Sequence, residues 1–171
     1  PGASDINTLL RHMLAVSQAI AFAHEHGVVH GDIKPENIMI GDRGETQVID
    51  WGLSLISAEA RPIGELVGTV AYMSPEQARG ERVGPTSDVW ALGATLVEAL
   101  TGRALWSQPE ADVLSALRRG VRPRLDTGTL AAELTVIVGR ALAPDQEARY
   151  SDAQTLAADI EKAFDRRPVD S

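Results

Sequence analysis

The chain has 171 residues, enough for one domain with a sizeable core, and 44% of them are apolar but only 4% aromatic, which points to an aliphatic, helix-rich interior. A formal charge of −8 argues against nucleic acid as the main partner and favours basic protein substrates. With no cysteine, a disulfide framework and a thiolate metal site are both excluded; no apolar run is long enough to span a bilayer, so no membrane contact is expected within the chain.

The first expected element is a helix. Ser4 or Asp5 can cap it, Ile6, Leu9, Leu10, Met13, Val16, Ile20 and Ala23 recur at helical spacing, and Gly27 supplies the stop. His24 and His26 read as helix-end residues in favourable contact with the dipole. A short strand over 28–30 then leads into a polar loop, 30–37, in which His30, Asp32, Lys34 and Asn37 fall within eight positions. Segments 38–40 and 47–50 are expected to form a hairpin across Gly41-Asp42-Arg43-Gly44, and Asp50 ends the second of them, before Trp51-Gly52. Two acids and an amide oxygen at strand–loop junctions suggest hard ligands for Mg²⁺ plus a carboxylate base. The plain alternative is that Asp32 and Asn37 only bond the backbone of a turn. A metal-ligand role for His30 lacks partners, because His12, His24 and His26 lie on or just after the preceding helix.

Residues 53–73 carry no sustained period and read as a long ordered loop, a feature that is usually functional. Thr86-Ser87 can cap a helix over 88–100 that is apolar almost all round, with Val89, Leu92, Leu96 and Ala99 or Leu100 inward and Gly102 as its end. Ser107-Gln108-Pro109-Glu110 opens a shorter helix, with proline early in its first turn, that Gly120 closes. Two more amphipathic helices are expected over 130–142 and 151–164, the second capped by Ser151 or Asp152.

Four stretches, taken in order, resemble motifs of one family. His30-Gly31-Asp32-Ile33-Lys34-Pro35-Glu36-Asn37 resembles the H-R-D-L-x-x-x-N catalytic loop of protein kinases, and Asp50-Trp51-Gly52 their D-F-G. Ser74-Pro75-Glu76 resembles A-P-E, and Asp88-Val89-Trp90-Ala91-Leu92-Gly93 the D-x-W-x-x-G helix. The resemblance runs from about Asp5 to about Phe164 and is to the large, C-terminal lobe of a Hanks-type serine/threonine protein kinase of bacterial style. It implies a mainly α (α+β) fold, a helical bundle with a small β-hairpin at the catalytic loop. The lobe would span 1–165, with catalytic loop 30–37 and activation segment 50–76, followed by a tail, 166–171.

The implied activity is transfer of the ATP γ-phosphoryl group to a Ser or Thr hydroxyl of a protein substrate, in the cytoplasm, within a parent that could be membrane-anchored outside this segment. By the resemblance Asp32 is the catalytic base, Lys34 sits by the transferred phosphate, and Asn37 and Asp50 hold Mg²⁺. Lys34, Glu36, Asn37, Met39 and Asp50 would contact Mg-ATP, with Met39 under the adenine; a core methionine is the plain reading of the same residue. His30 would pack beneath Trp51, Thr69 would touch both Asp32 and Lys34, Glu76 would pair with Arg149, and Asp88 would fix the catalytic-loop backbone. Lys34 together with Thr69 favours Ser/Thr over Tyr as acceptor.

Two departures follow from the same comparison. The chain has no G-x-G-x-x-G, and its only lysines are Lys34 and Lys162, so nothing here can play the lysine that grips the α- and β-phosphates. The missing partner is the small N-terminal lobe, the isolated chain is expected to be inactive, and a start on Pro1 fits a fragment or a processed product. Gly31 stands where most kinases carry arginine, and no Ser, Thr or Tyr lies between Ala58 and Gly68; control by activation-loop phosphate is therefore not expected, unless Ser57 is modified and Arg61 or another arginine receives it. The rival readings are a pseudokinase or scaffold lobe that binds partners without catalysis and, further off, a small-molecule kinase, which would generally lack Lys34 and the Ser74-Pro75-Glu76 loop.

Overall fold

Leu10, Met13, Val16 and Ile20, spaced by three and four, are all buried along one side of the first helix, α1 (Ala3–Glu25), as the apolar period requires. The computed structural model describes residues 3–56, 68–125 and 131–165. After Gly27 come strand β1 (Val28–Val29), a 3₁₀ turn over Pro35–Asn37, and the hairpin of β2 (Ile38–Ile40) and β3 (Thr46–Val48). That hairpin is antiparallel, with Ile38 opposite Val48 and Ile40 opposite Thr46. One further bond, from the Ile49 N–H to the Asn37 carbonyl at 2.9 Å, ties its end to the polar loop.

The stretch expected to be one long loop is more structured. Leu55–Ile56 form β4, antiparallel to β1 with Val28 opposite Ile56, and Val70–Tyr72 form a 3₁₀ turn. Strands of two residues are too short to show a period, so only the partner strand defines them. Residues 57–67, with Ser57 and Arg61, lie outside the described residues.

Helix α2 (Pro75–Arg79) follows, started by a capping box in which Ser74 and Gln77 satisfy each other's backbone N–H. Helix α3 (Pro85–Thr101) is the centre of the molecule: every residue from Ser87 to Val97 is buried. It begins earlier than a Thr86-Ser87 cap would place it. Pro85 takes the first helical position, where no N–H is needed and φ is preset, and the Ser87 Oγ instead accepts from the Gly84 N–H at 3.3 Å. Gly93 is the point of closest approach: a Cβ built there would lie 2.8 Å from that of Ala141.

Helices α4 (Glu110–Arg118), α5 (Ala132–Ala141) and α6 (Ala153–Asp165) complete the described elements. Pro109 is the cap of α4 rather than part of its first turn. Leu130, the expected start of α5, lies outside the described residues, and α6 is capped by Asp152, whose carboxylate accepts the Thr155 N–H at 2.8 Å. The core joins α1, α3, α5 and α6 through side chains such as Leu10, Trp90, Leu134 and Leu156. This is the mainly α fold expected, with its strands in two separate two-stranded ladders. The polar loop emerges between β1 and β2, facing α2 and the start of α3.

Candidate active site

The loop 30–37 is anchored from beneath by one carboxylate. Asp88, buried in the first turn of α3, accepts the backbone N–H groups of His30 and Gly31, each at 2.8 Å. It also accepts the Nε2–H of His24 at 2.9 Å, while the other ring nitrogen of His24 accepts the Ala153 N–H at 3.3 Å. His24 does lie in the last turn of α1, but its role goes beyond the dipole: it ties α1 to α3 and α6. Three donors on a carboxylate that is 1% exposed satisfy a charge that would otherwise be costly to bury.

Gly31 lies in the left-handed region, at φ 79°, where an L side chain is strained. Its carbonyl accepts the Gln77 Nε2–H at 2.9 Å, so both of its peptide groups are fixed by side chains from α2 and α3. His30 is fully buried and uses both ring nitrogens: Nδ1 accepts the Asp32 N–H at 3.3 Å and Nε2–H donates to the Ile49 carbonyl at 3.1 Å. Its ring lies 4.6 Å from the Trp51 ring, tilted by 59°. No lone pair remains on it for a metal.

Asp32 is held at both oxygens. Oδ1 accepts the Thr69 N–H at 2.8 Å and Oδ2 lies 2.9 Å from the Lys34 ammonium, which also donates to the Thr69 hydroxyl at 2.7 Å. Burial pushes the Asp32 carboxyl upward, but hydrogen bonds from Lys34 and Thr69 outweigh it and hold the group below its ordinary value. Gly68, at φ 115°, lets the chain pass this close: a Cβ there would meet the Gly31 carbonyl at 3.4 Å and Asp32 Oδ1 at 3.6 Å. Asn37 is buried behind the acid and donates from Nδ2 to the Asp32 carbonyl at 2.8 Å, which leaves its amide oxygen as the atom able to ligate.

Asp50 is exposed and adopts a left-handed backbone at φ 59°, the one non-glycine residue with positive φ among those described. Such an outlier in an acid next to a candidate site favours a functional reading. Among the described residues no three His, Cys, Asp or Glu side chains gather as a metal cage. Asn37 and Asp50 offer two oxygen ligands, a set that suits Mg²⁺, which keeps several waters and takes phosphate oxygens. Glu36 is exposed on the 3₁₀ turn. Met39 is 55% exposed and the neighbouring Ile40 57% exposed, so the reading of Met39 as a core methionine is wrong: β2 presents an apolar surface outward.

Behind the loop, Glu76 and Arg149 form a fully buried bidentate pair, at 2.7 and 2.9 Å. The guanidinium also donates to the carbonyls of Ala143, Thr86 and Pro144 and sits 5.1 Å from the Trp90 ring centre. Burial raises the Glu76 carboxyl, yet Arg149, with help from the Ser87 hydroxyl at 2.7 Å, holds it below its ordinary value. Sequence reasoning missed Gln77, His24 and Ser87. The Ser74-x-x-Gln77 spacing is a capping-box signal that marks Gln77 as fixed; nothing local marks His24, whose partners lie 64 and 129 residues away.

The family described as protein kinase domain matches residues 3–159. Serine/threonine-protein kinase PknB of Mycolicibacterium smegmatis is 35% identical over 161 residues, covering 90% of this chain and 26% of that protein. PknB of Mycobacterium tuberculosis is 34% identical over the same shares. A probable serine/threonine-protein kinase of Streptomyces coelicolor, SCO3848, is 33% identical over 94% of this chain and 25% of its own length. The chain thus spans about a quarter of the curated relatives named here. With a loop pinned by Asp88, an acid gripped by Lys34 and Thr69, and this breadth of match, the chain belongs to the protein kinase family, in its bacterial Hanks-type serine/threonine branch.

Proposed function

We propose that residues 1–165 are the catalytic, C-terminal lobe of a cytoplasmic serine/threonine protein kinase, with 166–171 a tail, and that the lobe works with a small N-terminal lobe to phosphorylate Ser or Thr on a protein. The observation that carries this reading is the fixed triangle of Asp32, Lys34 and Thr69. Phosphoryl transfer asks mainly for position and charge, and this triangle supplies both. Asp32, aimed by Thr69 and Lys34, accepts the proton of the acceptor hydroxyl. Lys34 offsets charge on the transferred group from 2.9 Å beside that acid.

Asn37 and Asp50 would hold Mg²⁺, while Lys34, Glu36 and the exposed Met39 would meet the nucleotide. Bound Mg-ATP supplies the phosphoryl donor and neutralises its charge; the chain's residues orient it and receive the proton. His30, Trp51, Glu76, Asp88 and Arg149 support the loop rather than touch substrate. The test is phosphorylation of a basic Ser/Thr-containing protein by the lobe joined to a glycine-rich small lobe. Radiolabel from γ-labelled ATP should reach Ser or Thr. Mg-ATP binding without transfer would instead favour a pseudokinase.

A further inference from the structure

We propose that the cavity between the α3–α4 connection, α4 and residues 121–124 is a docking site for an acidic protein segment carrying an apolar side chain. The cavity holds about 470 Å³, within the range of pockets that take ligands, about 300–1,000 Å³. Its walls include Leu105, Trp106, Val113 and Val121, and Val121 is 41% exposed, so the apolar lining reaches the surface.

Two polar features in this lining lack the partners that a finished protein surface gives them. The indole Nε1–H of Trp106 is buried and has no hydrogen-bond partner among the described residues, although buried Trp N–H groups usually find one. Arg122 and Arg124 line the same cavity and are exposed. Neither forms an ion pair among the described residues, and Arg122 makes only a long 3.4 Å bond to the Gly139 carbonyl. A carboxylate answers the arginines, because it matches the guanidinium fork.

Charge points the same way. Between 103 and 124 there are five arginines against two acids, Glu110 and Asp112, in a chain of formal charge −8. Asp112 lines the cavity too, but Arg122 and Arg124 outnumber it, and Arg118 and Arg119 extend the positive field along the end of α4. The apolar wall selects a peptide over a nucleic acid strand. None of these residues belongs to the set around Asp32, and the proposal stands apart from whether the chain transfers phosphate.

The experiment uses the 171-residue chain and a fluorescein-labelled Asp-Leu-Asp-Leu-Asp-Leu peptide, followed by anisotropy at low salt. Saturable binding is expected. It should weaken about tenfold or more in Arg122→Gln/Arg124→Gln, and it should fail for peptides with Lys in place of Asp or Ser in place of Leu. Tryptophan emission should change on binding in the wild type and in Trp51→Phe, but not in Trp106→Phe. The proposal is overturned if the acidic peptide does not saturate, if the double arginine variant binds it equally, or if an oligothymidine of equal charge binds as tightly.

Discussion

Asp32 and Asp50 are both acids beside one loop, yet their surroundings give them opposite characters. Asp32 is gripped at both oxygens and its proton affinity is lowered, because donors from Lys34 and Thr69 outweigh the burial that raises it. Asp50 is exposed on a strained backbone, and among the described residues no bond ties its carboxylate. An acid fixed by its neighbours is suited to orient a hydroxyl, while one left open is suited to ligate a cation. In the lobe joined to its small lobe, Asp32→Asn should therefore lower turnover by about 10²-fold or more and leave Mg-ATP binding nearly unchanged. Asp50→Asn should weaken both. Nucleotide titration alongside steady-state rates checks this, and equal loss of binding in the two variants would refute the division of roles.

Elements meet here through a few residues that cannot change size or charge. Gly93 is the clearest: the helix-propensity gain of Gly→Ala is about 1 kcal/mol, but the new methyl would lie 2.8 Å from the Ala141 Cβ across the α3–α5 contact. Overpacking of that kind costs about 1–3 kcal/mol, so Gly93→Ala should lower Tm by a few degrees in a thermal melt; an increase would show that the helices separate freely. Glu76→Gln should cost about 3 kcal/mol and lower Tm by about 10 °C, because it leaves the Arg149 guanidinium buried without a counter-charge. The Glu76 carboxyl is held below its ordinary value, so its stabilisation is complete above the unfolded value, about 4.3, and fades as pH falls through the lower folded value. Melts from neutral to acid pH should thus converge for wild type and Glu76→Gln. The motif acids and Arg149 were legible through the resemblance to protein kinases, whose motifs mark their positions, whereas the close approach at Gly93 shows only once α3 and α5 are packed. The pairing of β4 with β1 was not legible either, since two residues carry no period, and neither was His24, whose role exists only once α6 and α3 have folded against it.

At the scale of the whole molecule, the proposed function gives the chain half of a nucleotide site and a catalytic loop whose backbone is fixed by Asp88 and Gln77. Both lysines are committed: Lys34 to Asp32 and Thr69, and Lys162, on α6, to Asp159 at 2.8 Å. Neither is free to grip the α- and β-phosphates, and Met39 and Ile40 stand exposed on β2 with no roof among the described residues. The 171-residue chain alone should therefore bind Mg-ATP only weakly by calorimetry, and micromolar affinity would contradict this. Control follows from Gly31. A cation at that position would give an activation-loop phosphate a partner, but glycine has none, and its φ of 79° strains any other residue by about 1–2 kcal/mol. The loop geometry is secured instead by Asp88 on the Gly31 N–H and by Gln77 on its carbonyl, neither of which depends on modification. We predict that the kinase joined to its small lobe keeps its activity after phosphatase treatment and in Ser57→Ala. If Ser57 were the switch, Arg61 or another arginine would have to receive its phosphate, so a large loss of activity in both measurements would show that a phosphate orders the activation segment after all.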